Sequence, residues 1–199
     1  MRVVVTGTPG TGKTSAVEAL EEQGGIGEDS DFDFEVVHLN DLIRDEDLWE
    51  ERDEERDSLV ADLDAVAGRL EGHDDLLVES HLAHHLKTDE GVEKVVVLRC
   101  HPEELERRLT ERGESEAKAT ENAESDEPPR ALTRKAHENA ESEALDVILS
   151  EAVNAHGMEN VYEIETTDRT PEEVADEIAA VLAGERDPSA GEVSYIDYL

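Results

Sequence analysis

Eight residues near the N-terminus have the types and spacing needed to hold phosphate. Gly7-Thr8-Pro9-Gly10-Thr11-Gly12-Lys13-Thr14 matches G-x-x-x-x-G-K-[ST]. The glycines let backbone N–H groups curl around a chain of phosphates, and the start of a following helix adds its dipole to the anion site. Lys13 has the reach for β- and γ-phosphates, and the Thr14 hydroxyl suits Mg²⁺. The expected ligand is a nucleoside triphosphate with Mg²⁺. No guanine-reading Asn-Lys-x-Asp is present, which argues against a GTPase switch, and 199 residues is short for a motor ATPase.

Such a loop works only between a strand and a helix, and the flanking residues supply both. Arg2 to Thr6 is a Val-rich run that reads as a buried strand, and Lys13 to Gln23 reads as a helix ended by Gly24-Gly25. Further strands are expected at Phe34–Val37, Leu76–Val78, Val95–Arg99 and Val161–Ile164. Leu39, Leu42 and Ile43 mark a helix between the second strand and a charged stretch too polar to assign. Leu59, Leu63, Val66 and Leu70 follow a helical period, and Pro102 opens a helix expected to stop at Gly113. Helices are also expected around Leu145–Val153 and after Thr170-Pro171-Glu172-Glu173. Strands alternating with helices, several of the strands apolar throughout, indicate an α/β fold with a five-stranded parallel sheet covered on both faces. A tail, residues 184–199, ends in Tyr195-Ile196-Asp197-Tyr198-Leu199; fraying, packing back and reaching a partner are all open to it.

One segment is internally repetitive. Lys118 to Asp126 recurs 17 residues later as Lys135 to Glu143, with seven of nine positions identical, and Pro128-Pro129 interrupts any helix through the pair. Two copies suggest a local duplication that lengthened a helical excursion, not a solenoid.

Charge dominates the composition. There are 54 Asp and Glu against 18 Lys and Arg, a formal net charge of −36. Such a surface repels nucleic-acid backbones, so direct DNA binding is not expected. Apolar residues make up 37% and come in compact runs, which separates the chain from a disordered acidic one. The charge is spread along the chain, and Arg (13) outnumbers Lys (5). This resembles proteins of extreme halophiles, in which carboxylate repulsion is screened once the Debye length falls to about 3 Å in 1 M salt. No apolar run approaches the roughly 18 residues of a membrane span. A strand-like start at Met1 leaves no visible secretory leader, and the single Cys100 suits a reducing cytoplasm.

Asn40-Asp41-Leu42-Ile43-Arg44, Glu79-Ser80-His81, Val97-Leu98-Arg99-Cys100, Arg108-Leu109-Thr110-Glu111-Arg112-Gly113 and Glu138-Asn139-Ala140-Glu141 follow the phosphate loop in order. Together these blocks resemble CINAP-type adenylate kinases, the isoenzyme-6-like, broad-specificity nucleoside monophosphate kinases of archaea and eukaryotes. The resemblance spans residues 1–182. It implies a P-loop kinase domain over residues 1–183, with a monophosphate-binding region near 38–62 and a lid near 111–143. By position, Gly10, Gly12, Lys13, Thr14 and Ser15 would hold ATP, Arg44 would meet the acceptor phosphate, and Arg112 would close over the donor. Arg suits that work through its planar fork. Where the family shows Asp-x-His, this chain has Glu79-Ser80-His81; Glu79 is one methylene longer and would act on Mg²⁺ through water. His81 would orient a water or a phosphate. His84 and His85 follow, without a Cys or carboxylate spacing that completes a zinc site. Either copy of the duplication fits the family's lid block: the first by its spacing from Arg112, the second because it runs into the next helix.

Two activities follow from the resemblance. One is transfer of a phosphate from ATP to AMP or another nucleoside monophosphate. The other is an ATPase role in small-ribosomal-subunit maturation and rRNA processing, in which a basic ribosomal protein is bound and released; an acidic surface would attract it.

Overall fold

The computed structural model describes residues 1–27, 32–53, 58–88, 91–119 and 130–199. In chain order the elements are β1 (Arg2–Thr6), α1 (Lys13–Glu22), β2 (Glu35–His38), α2 (Leu39–Asp45), β3 (Trp49–Asp53), β4 (Ser58–Ala61), α3 (Leu63–Leu70) and β5 (Leu76–Glu79). Then come β6 (Lys94–Arg99), α4 (Pro102–Ala119), α5 (Arg130–Ala144), α6 (Val147–His156), β7 (Val161–Glu165) and α7 (Pro171–Leu182).

Five strands form one sheet in the order β2-β5-β1-β6-β7, and every pairing is parallel. This is the sheet expected from the sequence. Its two faces are read directly from the alternation along β1. Val3 and Val5 point into one core with Val17 and Leu20 of α1 and Ile178 and Val181 of α7. Val4 points into the other with Leu39 and Ile43 of α2, Val66 of α3 and Leu149 of α6. The edges of α3 and α7 are set by side chains. Asp62 accepts from the Ala65 N–H at 2.9 Å to start α3, and Thr170 and Glu173 form a reciprocal capping box before Pro171 at the start of α7.

Three local expectations are corrected. Leu59 does not belong to the helix that follows; it lies on β4, which pairs antiparallel with β3 in a small separate hairpin, and Asp62 begins the helix after it. Here the strand-forming run Ser58–Ala61 ends just before a capping residue, so the apparent helical period ran across two elements. The helix expected to stop at Gly113 continues to Ala119; an interior glycine costs only about 1 kcal/mol against alanine. Leu145 is exposed between α5 and α6.

The tail packs back. Ser189 N donates to Val161 O at 3.1 Å, and Glu163 N donates to Ser189 Oγ at 2.9 Å, so the free edge of β7 is covered. Gly191 N and Glu192 N both donate to Glu163 Oε2, at 2.6 and 2.8 Å, and Tyr195 is buried. Of the duplication, residues 120–126 and Pro128-Pro129 lie outside the described residues. The second copy lies on α5, which packs along α4.

Candidate active site

The site is assembled at the carboxyl edge of the sheet, where β1 and β5 end side by side. After β1 the chain enters the phosphate loop. A Cβ on Gly7, whose φ is +142°, would fall 2.4 Å from Leu98 O, so only glycine lets the loop leave the sheet this closely. Gly12 has φ +88° with open space around a Cβ, so there the backbone conformation itself calls for glycine. Gly12 is also the N-cap of α1 and supplies no side-chain cap. The helix's first N–H groups therefore face the loop without a side-chain oxygen from the cap, which fits them to an anion. Within the loop, Thr11 Oγ1 donates to Thr8 O at 2.9 Å, and Lys13 Nζ donates to Gly7 O at 2.9 Å and Thr8 O at 3.1 Å. Burial pulls the Lys13 ammonium down to about 8, opposed by the nearby carboxylates of Glu79 and Glu143.

After β5, Ser80 pins the next loop. Its N–H donates to Val5 O at 3.2 Å; its hydroxyl donates to Asn40 Oδ1 and accepts from Leu82 N, both at 3.1 Å. This aims His81 into the site. Burial, then the Lys13 charge, hold its imidazole down to about 4, so it is neutral near pH 7. Glu79 is buried, and its Oε2 accepts from Thr14 Oγ1 at 3.3 Å and lies 3.1 Å from His38 Nδ1. Thr14 and Glu79, separated by 65 residues, thus present two hard oxygen donors at one place, a set that fits Mg²⁺.

Two cavities meet here. The first, about 440 Å³, is lined by Gly10, Gly12, Lys13, Thr14 and Ser15 from the loop and helix start, Glu79 and His81 from the β5 edge, Arg108 and Arg112 from α4, and Arg169 and Pro171 before and at the start of α7. The second, about 710 Å³, is lined by Arg44 of α2, Arg52 of the hairpin, Lys135 of α5, and again His81. Asn40 also borders both. All the site residues expected from the sequence therefore line one or the other. Arg44 is on the rim: its side chain is 67% exposed and stands 3.6 Å from Asp41.

Several lining residues were not singled out by sequence. Arg108 is four residues before Arg112 on the same helix face, a spacing that was available as a signal. Its Nε is held by Glu104 at 2.8 Å, and its other end donates to Thr166 O at 3.0 Å. Arg52, Lys135 and Arg169 gave no signal among so many charges. Nor did Glu143, buried behind the loop, which accepts from Thr8 Oγ1, from Arg99 Nε at 2.7 Å and from Cys100 N at 3.2 Å.

A parallel sheet with a phosphate loop between its central strand and the following helix defines a P-loop nucleotide-binding domain of the kinase type. The sequence profile of the AAA domain matches residues 3–128. The chain is 53% identical over all 199 residues, the full length of both chains, to "Putative adenylate kinase" of Natronomonas pharaonis, and 49% identical, again over both full lengths, to the protein of the same name in Halobacterium salinarum. A Methanosarcina acetivorans protein of that name is 38% identical over 92% of this chain and 86% of its own. The chain belongs to this family of archaeal P-loop proteins. Among solved structures, shikimate kinase from Bacteroides thetaiotaomicron shares the fold, with a TM-score of 0.54 at 17% identity over 92% of this chain and 98% of that one. Among the described residues, no helix is long and apolar enough to cross a membrane.

Proposed function

We propose that this protein is a nucleoside monophosphate kinase of the CINAP type, transferring the γ-phosphate of ATP to AMP. The observation that carries the reading is the pair of cavities joined at Asn40 and His81. One is built on the phosphate loop, and the other is lined by three cations, Arg44, Arg52 and Lys135. A hydrolase acting on water has no need of a second cationic chamber.

In this reading ATP occupies the first cavity with its phosphates on the loop N–H groups, and the monophosphate occupies the second. Residues 38–62 form the monophosphate-binding region and residues 111–143 the lid. An oxygen of the acceptor phosphate attacks the γ-phosphorus, the bond from that phosphorus to the β–γ bridging oxygen breaks, and two ADP result. Thr14 directly and Glu79 through water would hold Mg²⁺, which when bound neutralises charge on the phosphates. Lys13 counters the charge that gathers on the leaving oxygen; Arg112, with Arg108 one turn away, covers the transferred group. Arg44 orients the acceptor phosphate. The acceptor is already an anion, so no base need remove a proton from it, and His81 as a neutral imidazole contributes by hydrogen bonding at the junction.

Salt adaptation belongs to the same proposal. A net charge of −36 and near relatives in Natronomonas and Halobacterium, genera of salt-loving archaea, support it. The second reading, an ATPase that releases a basic small-subunit ribosomal protein, draws on the same charge. AMP-independent hydrolysis stimulated by such a protein would favour it.

The joined cavities are tested by a bisubstrate, two adenosines linked through five phosphates. It is expected to compete with both ATP and AMP, and to bind more weakly to both Lys13→Ala and Arg44→Ala. Competition with ATP alone would remove the second chamber from the reaction.

A further inference from the structure

We propose that His84, His85 and Glu151 form a binding site for a borderline divalent metal ion of the Zn²⁺ type, separate from the hard-oxygen pair at Thr14 and Glu79. The two histidines lie on a 3₁₀ turn, Ala83–His85, that follows the β5 edge, and Glu151 reaches them from α6. His84 Nε2 is 3.1 Å and His85 Nε2 3.7 Å from the same oxygen, Glu151 Oε2. One donor atom from each residue lies within 4.8 Å of the others, and this is the group of that kind found among the described residues. Ligands around a tetrahedral ion with bonds of about 2.0–2.1 Å stand roughly 3.3 Å apart, so His85 closes the set with a small rotation. Two imidazoles and one carboxylate select Zn²⁺, Co²⁺ or Ni²⁺ over Mg²⁺.

Two further observations favour a built site. His84 is almost fully buried, and its Nδ1 stands 3.0 Å from Thr6 Oγ1, the partner that fixes a ligating histidine with Nε2 free for the metal. His156 Nε2 contacts His84 O at 2.7 Å and steadies the turn from behind. His85 and Glu151 are partly exposed, at 40% and 45%, which leaves a path for the ion and a fourth position for water. The same geometry without an ion is a hydrogen bond from the other His84 tautomer to Glu151, and the two descriptions differ in what they bind.

A metal here would tie the loop that carries His81 to α6, and would adjoin Thr6, the residue before the phosphate loop. The site does not depend on the kinase reading, because its ligands line neither cavity.

The test uses the full chain, freed of metal by a chelator, in high-salt buffer without nucleotide. Zn²⁺ is titrated calorimetrically, and Co²⁺ serves as the optical probe. One equivalent of Zn²⁺ is expected, displacing Co²⁺ from a site with visible absorption of low coordination number. His85→Ala and Glu151→Gln, both at partly exposed positions, are expected to weaken Zn²⁺ by more than the about 10–100-fold that loss of an outer partner costs, and Thr6→Val by about that amount. Circular dichroism of the metal-free variants checks that each is folded. No stoichiometric Zn²⁺ on the unaltered chain, or equal affinity in His85→Ala and Glu151→Gln, overturns the proposal.

Discussion

Thr8, in the phosphate loop, donates its hydroxyl to the carboxylate of Glu143, on α5. The two residues are 135 positions apart, and both are buried. The other Glu143 oxygen is held by Arg99 and by Cys100 N. Arg99 in turn also pairs with Glu163, at 2.5 Å, and with Asp146. Glu163 then holds the C-terminal tail through its contacts with Gly191 and Glu192. One buried guanidinium thus joins the loop, α5, the last strand and the tail.

Removing Glu143 leaves that charge without its main partner inside the protein. Glu143→Ala is expected to cost about 3–5 kcal/mol, a fall in melting temperature on the order of 10 °C. Thr8→Val, which deletes one hydrogen bond to a charged group, should cost less, about 1.5–3 kcal/mol. Thermal melts in matched salt measure both; a Glu143→Ala shift below about 2 °C would show that the network is dispensable.

Lys13→Ala is expected to keep the fold and lose about 10²–10³-fold in phosphoryl transfer, as when one donor to a developing charge is removed. The hydrogen bonds it loses, to Gly7 O and Thr8 O, lie within the phosphate loop, so the loss is expected to fall on the loop and to leave the sheet in place. Unchanged circular dichroism with near-normal turnover would contradict its role.

Thr14→Ala and Glu79→Gln should each raise the Mg²⁺ concentration needed for half-maximal turnover. If their oxygens serve one ion, the double variant should show coupling of about 0.5–3 kcal/mol. Strictly additive effects would separate Glu79 from the metal.

The sheet was legible because its central strands β1 and β6 are apolar on both faces and the other three carry short apolar runs. Val3-Val4-Val5 and Val95-Val96-Val97 admit no other placement. The phosphate loop was legible because glycine conformation and cation spacing are written locally. The β3–β4 hairpin was hidden, since Trp49–Asp53 is mostly charged and pairs through its backbone. The Arg99 cluster was hidden for a different reason. Its carboxylates are three among 54, and only tertiary placement distinguishes them. Arg52 and Lys135 became visible as cavity residues only once α2, the hairpin and α5 were brought around one space.

Salt should act on the whole chain. At 0.1 M salt the screening length is about 10 Å, long enough for the excess carboxylates to repel one another across the surface. The melting temperature is expected to rise between 0.1 M and about 2 M KCl. A midpoint that stays level or falls would count against salt adaptation.

His81 and Arg44 should separate two activities. Hydrolysis needs a water to be oriented, so His81→Ala is expected to reduce AMP-independent ATP hydrolysis more than ADP formation from ATP and AMP. Arg44→Ala should do the reverse, because its partner phosphate is absent in hydrolysis. Equal proportional losses in both activities for both variants would refute this division.

The central claim is that a monophosphate in the second cavity accepts phosphate from ATP in the first. The most direct measurement is ADP formation by the unaltered chain at high KCl with Mg²⁺, with and without AMP. Turnover is expected to depend on AMP, to saturate with it, and to yield two ADP for each AMP consumed. Release of ADP and inorganic phosphate at a rate indifferent to AMP would contradict it.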